Sequence, residues 1–171
     1  MVAQRGQLLA ALGLERPVLV GHSDGATIAL IHAAHHPVAA CVVMAPHLMV
    51  EDVSVRSIEQ ARQAYQHGPL RQRLARFHAD VDGAFWQWND IWLSPAFRAF
   101  DIRDECRAIT APLLAIQGLD DEYGTLAQIH DLQRAAPHAR LLEVPACGHS
   151  PHRDQPSAVN AAIAAFLDSI A

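Results

Sequence analysis

The sequence has no lysine, and its basic residues are 13 arginines spread over 171 positions without a basic block. Against 18 acidic residues they leave a formal net charge of −5. A protein that binds nucleic acid normally carries clustered positive charge, so this composition argues against that class of partner. The densest positive stretch, Arg71 to His78, is followed closely by Asp80 and Asp82. We therefore interpret it as a solvated helix face.

Cysteines and long hydrophobic runs are also scarce. The three cysteines, Cys41, Cys106 and Cys147, lie far apart and form no C-x-x-C pair. This pattern predicts neither a disulfide framework nor a zinc ribbon, and it is typical of the reducing cytoplasm. No apolar run approaches the roughly 20 residues of a membrane-spanning helix, and the N-terminal segment lacks a signal-peptide pattern. We expect a cytoplasmic protein with no membrane partner.

Short apolar segments alternate with helical patterns along most of the chain. This alternation predicts the α/β class, with about four parallel strands and helices on both faces of the sheet. The first predicted strand is Val18 to Val20. The other predicted strands are residues 39–46, 111–118 and 139–148, and the predicted helices are residues 2–12, 26–35, 125–136 and 155–170.

The alternation stops over residues 47–109, where helical patterns and all three tryptophans occur without a convincing strand. An insertion that follows the carboxyl end of a parallel strand lies over the ligand crevice of the sheet. We therefore predict a helical cap at 47–109. The residues on either side of it, 1–46 and 110–171, are predicted to form the core.

Three aromatic residues of this insertion recur with helical spacing. Phe85, Trp88 and Trp92 therefore share one helical face, and Trp86 lies on another. One interpretation is that they form the small core of the cap itself. The other is that Trp88 and Trp92 line an apolar substrate pocket beneath the cap. The sequence leaves both interpretations open.

One motif suggests chemistry: Gly21-His22-Ser23-Asp24-Gly25 fits the pattern G-x-S-x-G between a predicted strand and a predicted helix. The pattern makes a sharp turn, and side chains in place of its glycines would collide with neighbouring backbone. The turn raises the Ser23 hydroxyl at a helix N-terminus, where the Asp24 N–H would be one donor to an oxyanion. We predict that Ser23 is a nucleophile. His22 is expected to point away from Ser23 and to form packing or a pocket wall.

A serine hydroxyl needs a base to take its proton, and in this architecture the chain order is serine, acid, histidine. Asp120, Asp121 and Glu122 follow the third predicted strand, and His149 follows the fourth. Parallel strands end at the same edge of a sheet, so these groups are expected to lie near Ser23. We predict His149 as the base.

Two alternatives use the same region. His152 is the second choice for the base. A cation held by His149, His152, Asp120 and Asp121 is the other alternative. However, H-x-x-H in a proline-containing loop is not a helical ligand pair, and the sequence has no H-E-x-x-H motif. We predict neither a metal nor a cofactor.

The segments GHSDG, LLAIQGLDDEYG and ACGHSPHRDQP together resemble the α/β-hydrolase superfamily. The resemblance covers the chain from just before the nucleophile strand to its end. It is to the cap-bearing group that includes esterases, lactonases and carbon–carbon bond hydrolases of aromatic breakdown. It implies a partial α/β-hydrolase fold and a small-molecule substrate that is a carboxylic ester, a lactone or a related carbon–carbon bond compound.

The resemblance also implies a Ser-His-Asp catalytic triad. The acid of the family is usually the fourth residue of a G-x-x-D segment, which is Asp121 here, with Asp120 as the alternative. The implied roles are Ser23 as the nucleophile and His149 as general base and then acid. Asp121 would orient the imidazole and stabilise its cation.

The sequence departs from the family ahead of Ser23. Members carry about four strands before the nucleophile strand, together with a His-Gly loop that supplies a second oxyanion N–H, and neither is found here. Losing one such donor costs roughly 10²–10³ in rate, so we expect weak or no ester turnover, and poor solubility, from this chain alone. The first strand, residues 18–20, would be an exposed edge prone to self-association. The alternative is a truncated, non-catalytic hydrolase remnant that needs a partner segment or acts as an interaction module.

Overall fold

A computed structural model describes residue 9 and residues 11–170. The predicted helix over residues 2–12 therefore lies largely outside the described residues. At its carboxyl end, Gly13 has a φ of +67°, and the Leu14 N–H donates to the Leu9 carbonyl at 3.0 Å. A glycine in this left-handed conformation is typical of a helix C-terminus.

Four parallel strands form one sheet in the order β1-β2-β3-β4. Their bounds are β1 Val18–His22, β2 Ala40–Met44, β3 Leu113–Gly118 and β4 Arg140–Val144. The predicted α/β class and the four predicted strands are confirmed. Every residue of β2 and β3 is buried, which explains why both segments are almost entirely apolar, with Gln117 of β3 as the polar exception.

Helices connect and flank the strands. Their bounds are α1 Asp24–His35, α2 Asp52–His67, α3 Leu70–Leu74, α4 Val81–Trp92, α5 Arg103–Cys106, α6 Ala127–Ala135, α7 Pro151–Asp154 and α8 Pro156–Asp168, with a 3-10 turn at Pro95–Ala99. No helix among the described residues is long and apolar enough to cross a membrane.

The two faces of the sheet pack against different helices. On one face, Val42 and Ile116 of the middle strands are buried with Val159 and Phe166 of α8. Successive strand residues point to opposite faces, so neighbours such as Val43 point to the other face, where α1 lies against β1 and β2. Each fully buried side chain of this size contributes about 1.5–3 kcal/mol relative to exposure.

Residues 50–100 form a separate, smaller compact unit. Its own core is built on Tyr65, Val81 and Phe85, and the rings of Tyr65 and Phe85 stack with centroids 3.7 Å apart. Arg62 Nε donates to Asn89 Oδ1 at 2.7 Å, and this partly buried bond links α2 to α4.

The smaller unit is shorter than the predicted insertion at 47–109. Met49 and Asp101 form an antiparallel bridge, and the Ile102 N–H donates to the Leu48 carbonyl at 2.8 Å. Backbone pairing thus keeps residues 47–49 and 101–109 in the larger unit, which among the described residues comprises 9, 11–49 and 101–170. The position of the smaller unit over a ligand crevice stays a prediction.

The free edge of β1 exposes apolar side chains. Val18 and Val20 are 44% and 56% exposed, and within the described part of the chain β1 pairs only with β2. We expect the protein to self-associate through this edge, because its unpaired backbone groups can extend the sheet. Val20→Lys should weaken the association, since a charged side chain blunts a strand edge. Sedimentation velocity over a concentration series would measure it.

Ile91→Lys is the matched control, because Ile91 is also exposed but lies on α4 in the smaller unit. It should leave the association unchanged. A wild-type protein that sediments as a monomer at every concentration would contradict the expectation.

His47, which follows β2, is buried, and its backbone N–H and carbonyl both bond to Thr27 Oγ1. Burial lowers the pKa of His47 to about 4, and the nearby His149 adds to the effect against the opposing charge of Asp121. The unfolded chain binds this proton near pH 6.5, so below that pH the unfolded state takes up more protons than the folded state. The free energy of unfolding should therefore fall by up to about 3 kcal/mol as the pH drops from 6.5 to 4.

Urea unfolding at a series of pH values would measure this dependence. His47→Gln should flatten the curve between pH 6.5 and 4, whereas His67→Gln should not, because His67 is exposed on α2. Equal slopes in the wild type and in His47→Gln would disprove the assignment.

Candidate active site

Ser23 occupies a strained turn between β1 and α1. Its φ of 55° and ψ of −126° lie where non-glycine residues are uncommon. The Ser23 N–H donates to the Met44 carbonyl of β2 at 2.9 Å, and the Ala26 N–H donates to the Ser23 carbonyl at 2.9 Å. Residues in such conformations cost on the order of 1–3 kcal/mol and cluster at functional sites.

The two glycines of the motif are not equivalent. A Cβ on Gly21 would lie 2.5 Å from the Gly25 carbonyl oxygen and 2.7 Å from the Ala26 nitrogen, so the turn admits only glycine there. A Cβ on Gly25 would meet no heavy atom within 4 Å in the described part of the chain. The predicted collision is therefore correct for Gly21 and wrong for Gly25, because only Gly21 faces the returning backbone of α1.

Three side chains form one hydrogen-bonded series. His149 Nε2 lies 2.8 Å from Ser23 Oγ, and His149 Nδ1 lies 2.9 Å from Asp121 Oδ1 and 3.0 Å from Oδ2. A carboxylate only accepts hydrogen bonds, so Nδ1 carries the proton of the neutral imidazole. Nε2 is then the acceptor and the Ser23 hydroxyl donates to it. This arrangement places a proton acceptor directly at the serine hydroxyl.

Asp121, and not Asp120, is the carboxylate that contacts His149. The Asp121 side chain is 1% exposed and also accepts hydrogen bonds from the Tyr123 N–H at 2.8 Å and from Gln117 Nε2 at 2.6 Å. Asp120 is exposed, and its backbone N–H donates to the Cys147 carbonyl at 2.9 Å. The Asp120 backbone thus links the acid loop to the loop that carries His149, whereas the Asp121 side chain contacts the histidine itself.

The loop that carries His149 is held against β3 by backbone contacts. A Cβ on Gly118 would overlap the Cys147 carbonyl oxygen, so the close approach of the two segments requires glycine. The His149 N–H donates to Glu122 Oε2 at 3.2 Å. The acid loop after β3 and the histidine loop after β4 therefore support one another.

His22 contributes a contact that the sequence did not reveal. Its Nε2 lies 2.6 Å from the His149 carbonyl oxygen, and because a carbonyl only accepts, this nitrogen carries the proton. Burial lowers the pKa of His22, against the opposing effect of this hydrogen bond. A neutral His22 thus fixes the backbone of His149, while the pocket-wall role stays a prediction.

The remaining predicted residues take other places. His152 is exposed, and its ring packs edge-on against His22 at 4.8 Å, so the nitrogen at Ser23 Oγ belongs to His149. No group of three or more His, Cys, Asp or Glu side chains in the described residues is placed to hold a metal ion. Asp24 is the first residue of α1, where the helix dipole favours negative charge.

Trp88 and Trp92 pack within the smaller unit. The Trp88 ring lies 5.8 Å from the Phe85 ring, and Trp92, which is buried, lies 5.1 Å from the Phe97 ring. Both contacts are edge-to-face. The half-buried Trp88 also packs against the core built on Tyr65, Val81 and Phe85. A pocket-lining role for Trp88 and Trp92 stays a prediction.

Known proteins are similar to this chain in sequence and in fold. Two curated relatives align with 94% of the chain: the proposed carbamate hydrolase RutD of Caulobacter sp. (strain K31) is 27% identical, and the sn-1-specific diacylglycerol lipase ABHD11 of Mus musculus is 26% identical. The chain spans 69% of the first relative and 62% of the second. The solved structure of Rv0554 from Mycobacterium tuberculosis is 25% identical, with a TM-score of 0.74, and the match covers 100% of this chain and 72% of that one.

The family itself is shown by a match to a family model. Residues 2–162 match the alpha/beta hydrolase family, which is nearly the whole chain. The four parallel strands in the order β1-β2-β3-β4 and the serine on the turn after β1 agree with that match. The chain therefore belongs to the alpha/beta hydrolase family.

Proposed function

We propose that the protein is a serine hydrolase that cleaves a carboxylic ester, a lactone or a related carbon–carbon bond substrate through Ser23, His149 and Asp121. The observation that carries this proposal is the unbroken series of hydrogen bonds from Ser23 Oγ to His149 at 2.8 Å and from His149 to Asp121 at 2.9 Å. These distances lie within the range that proton transfer between a nucleophile and its base requires.

The geometry supports a two-step acyl transfer. Ser23 Oγ attacks the carbonyl carbon while its proton passes to His149 Nε2, and the Asp121 carboxylate stabilises the resulting imidazolium. The Asp24 N–H, in the first turn of α1, is the proposed donor to the oxyanion. His149 then gives the proton to the leaving group, and an acyl-enzyme remains on Ser23. Water, deprotonated by His149, releases the acid and restores the serine.

The names of the relatives bear on the bond that is cleaved. One relative is named as a carbamate hydrolase and the other as a diacylglycerol lipase. A carbamate and a glyceride ester both present a carbonyl carbon to a nucleophile. We therefore take an ester as the first substrate class to test, with lactones and carbon–carbon bond substrates next.

A second candidate function is a non-catalytic module that binds a partner segment. The exposed edge of β1, with Val20 56% exposed, favours it, because a free strand edge can accept a further strand. The two candidates differ in whether Ser23 reacts.

The first test is covalent labelling of Ser23. We expect a fluorophosphonate to modify the wild-type protein at Ser23, as read by mass spectrometry of the peptides, and a short-chain chromogenic ester to be hydrolysed slowly. Ser23→Ala should abolish labelling and lower ester turnover to background, because no other group replaces the nucleophile. Ser157→Ala, at an exposed serine of α8, is the control and should react like the wild type. A wild-type protein that takes up no label would favour the non-catalytic module.

The second test separates the two adjacent aspartates. Asp121→Asn should slow labelling by roughly 10⁴-fold, because an amide at this position no longer holds the histidine tautomer that accepts the serine proton. Asp120→Asn should stay within about twofold of the wild type, since the contact of Asp120 is made by its backbone. Labelling rates over a series of probe concentrations give both numbers. Equal rates in the two variants would rule out the role proposed for Asp121.

A further inference from the structure

A buried glutamine lies near the carboxyl end of β3, an otherwise apolar strand next to the site. β3 has the sequence Leu-Leu-Ala-Ile-Gln-Gly, and Gln117 is 1% exposed. A primary amide is unfavourable in such a place unless its polar atoms are hydrogen-bonded. The contacts of Gln117 therefore show which part of the protein requires it.

The amide nitrogen of Gln117 serves two acceptors. Nε2 donates to Asp121 Oδ2 at 2.6 Å and to the Gly124 carbonyl at 3.1 Å. A carboxylate and a carbonyl have no proton to give, so these partners fix which end of the amide faces them. Turning the amide over would bring its oxygen against the Asp121 carboxylate.

The amide oxygen of Gln117, in contrast, lacks a hydrogen-bond partner in the described part of the chain. Gln117 Oε1 is fully buried, and no donor in the described part of the chain reaches it. An unsatisfied buried acceptor lowers stability, so a side chain of similar shape without polar atoms, such as methionine, would suit the packing better. Core packing alone therefore does not explain a glutamine at this position, whereas its bond to Asp121 does.

We propose that Gln117 is a positioning residue that orients the Asp121 carboxylate toward His149. Asp121 is held at both oxygens: Tyr123 N–H donates to Oδ1 and Gln117 donates to Oδ2. With the carboxylate plane fixed in this way, both oxygens lie 2.9–3.0 Å from His149 Nδ1. The inference rests on the proposed function, because it assigns Gln117 an effect on the same reaction through Asp121.

Gln128 provides a matched comparison within the same unit. It is also a buried glutamine, with 0% exposure, but both ends of its amide bond to backbone. Its Oε1 accepts from the Leu48 N–H at 2.7 Å, and its Nε2 donates to the Met49 carbonyl at 3.1 Å. Gln128 thus has the contacts of a structural glutamine.

The experiment compares Gln117→Met with Gln128→Met in the full chain. The readouts are the low-field proton resonance of the His149 Nδ1–H, assigned by its loss in Asp121→Asn, the rate of fluorophosphonate labelling, and the unfolding midpoint. We expect Gln117→Met to shift the resonance and to slow labelling about tenfold, because the carboxylate loses one of its two fixed donors. Gln128→Met should lower the unfolding midpoint and leave the resonance at its wild-type position. Its labelling rate should stay within about twofold of the wild type.

The outcomes are distinguishable. An unchanged resonance in Gln117→Met would overturn the inference. If Gln117→Met does not fold, Gln117→Leu takes its place, and loss of folding in both variants would also overturn it by assigning Gln117 a structural role. The resonance needs no turnover, so a shift in a protein that takes up no label would support the positioning role while the proposed hydrolase function fails. If the wild type is labelled normally and the resonance does not shift in Gln117→Met, the inference about Gln117 is rejected while the proposed hydrolase function stands.

Discussion

The parallel direction of the strands is the constraint on which the site depends. Ser23 follows β1, the Asp121 loop follows β3 and the His149 loop follows β4, so all three reach the same edge of one sheet. Residues 126 positions apart in sequence therefore meet at hydrogen-bond distance. An antiparallel strand at any of these places would send its loop to the opposite edge.

Most of the fold could be predicted because its signals are local. Buried parallel strands are mostly apolar, and the helices between them end near proline or glycine, so the strands and helices can be recognised in the sequence. Ser23 and His149 could also be singled out, because Ser23 directly follows β1 and His149 lies in the short loop after β4. The smaller compact unit spans residues 50–100, which lie inside the predicted insertion at 47–109. The pairing of Met49 with Asp101 is a contact between distant residues, and it leaves no local signal.

The finer features of the site depend on side-chain directions, which a sequence pattern does not contain. The G-x-x-D spacing favours Asp121 over Asp120, but the contacts that hold the Asp121 carboxylate, from the Tyr123 N–H and the Gln117 amide, have no such pattern. Gln117 did leave a signal, since it is the polar residue of a buried apolar strand. The collision predicted at Gly25 from the G-x-S-x-G spacing does not occur, because the surrounding backbone leaves open space there.

The antiparallel bridge between Met49 and Asp101 has a consequence for how this chain can be varied. It brings the two ends of residues 50–100 side by side within the larger unit. A segment whose ends are already adjacent can be exchanged or shortened with a small loop-closure cost, because the remaining backbone does not have to span a gap. The bridge thus makes residues 50–100 suitable for exchange with insertions from other proteins. In such chimeras the carboxyl ends of the strands, which carry Ser23, Asp121 and His149, would keep their geometry.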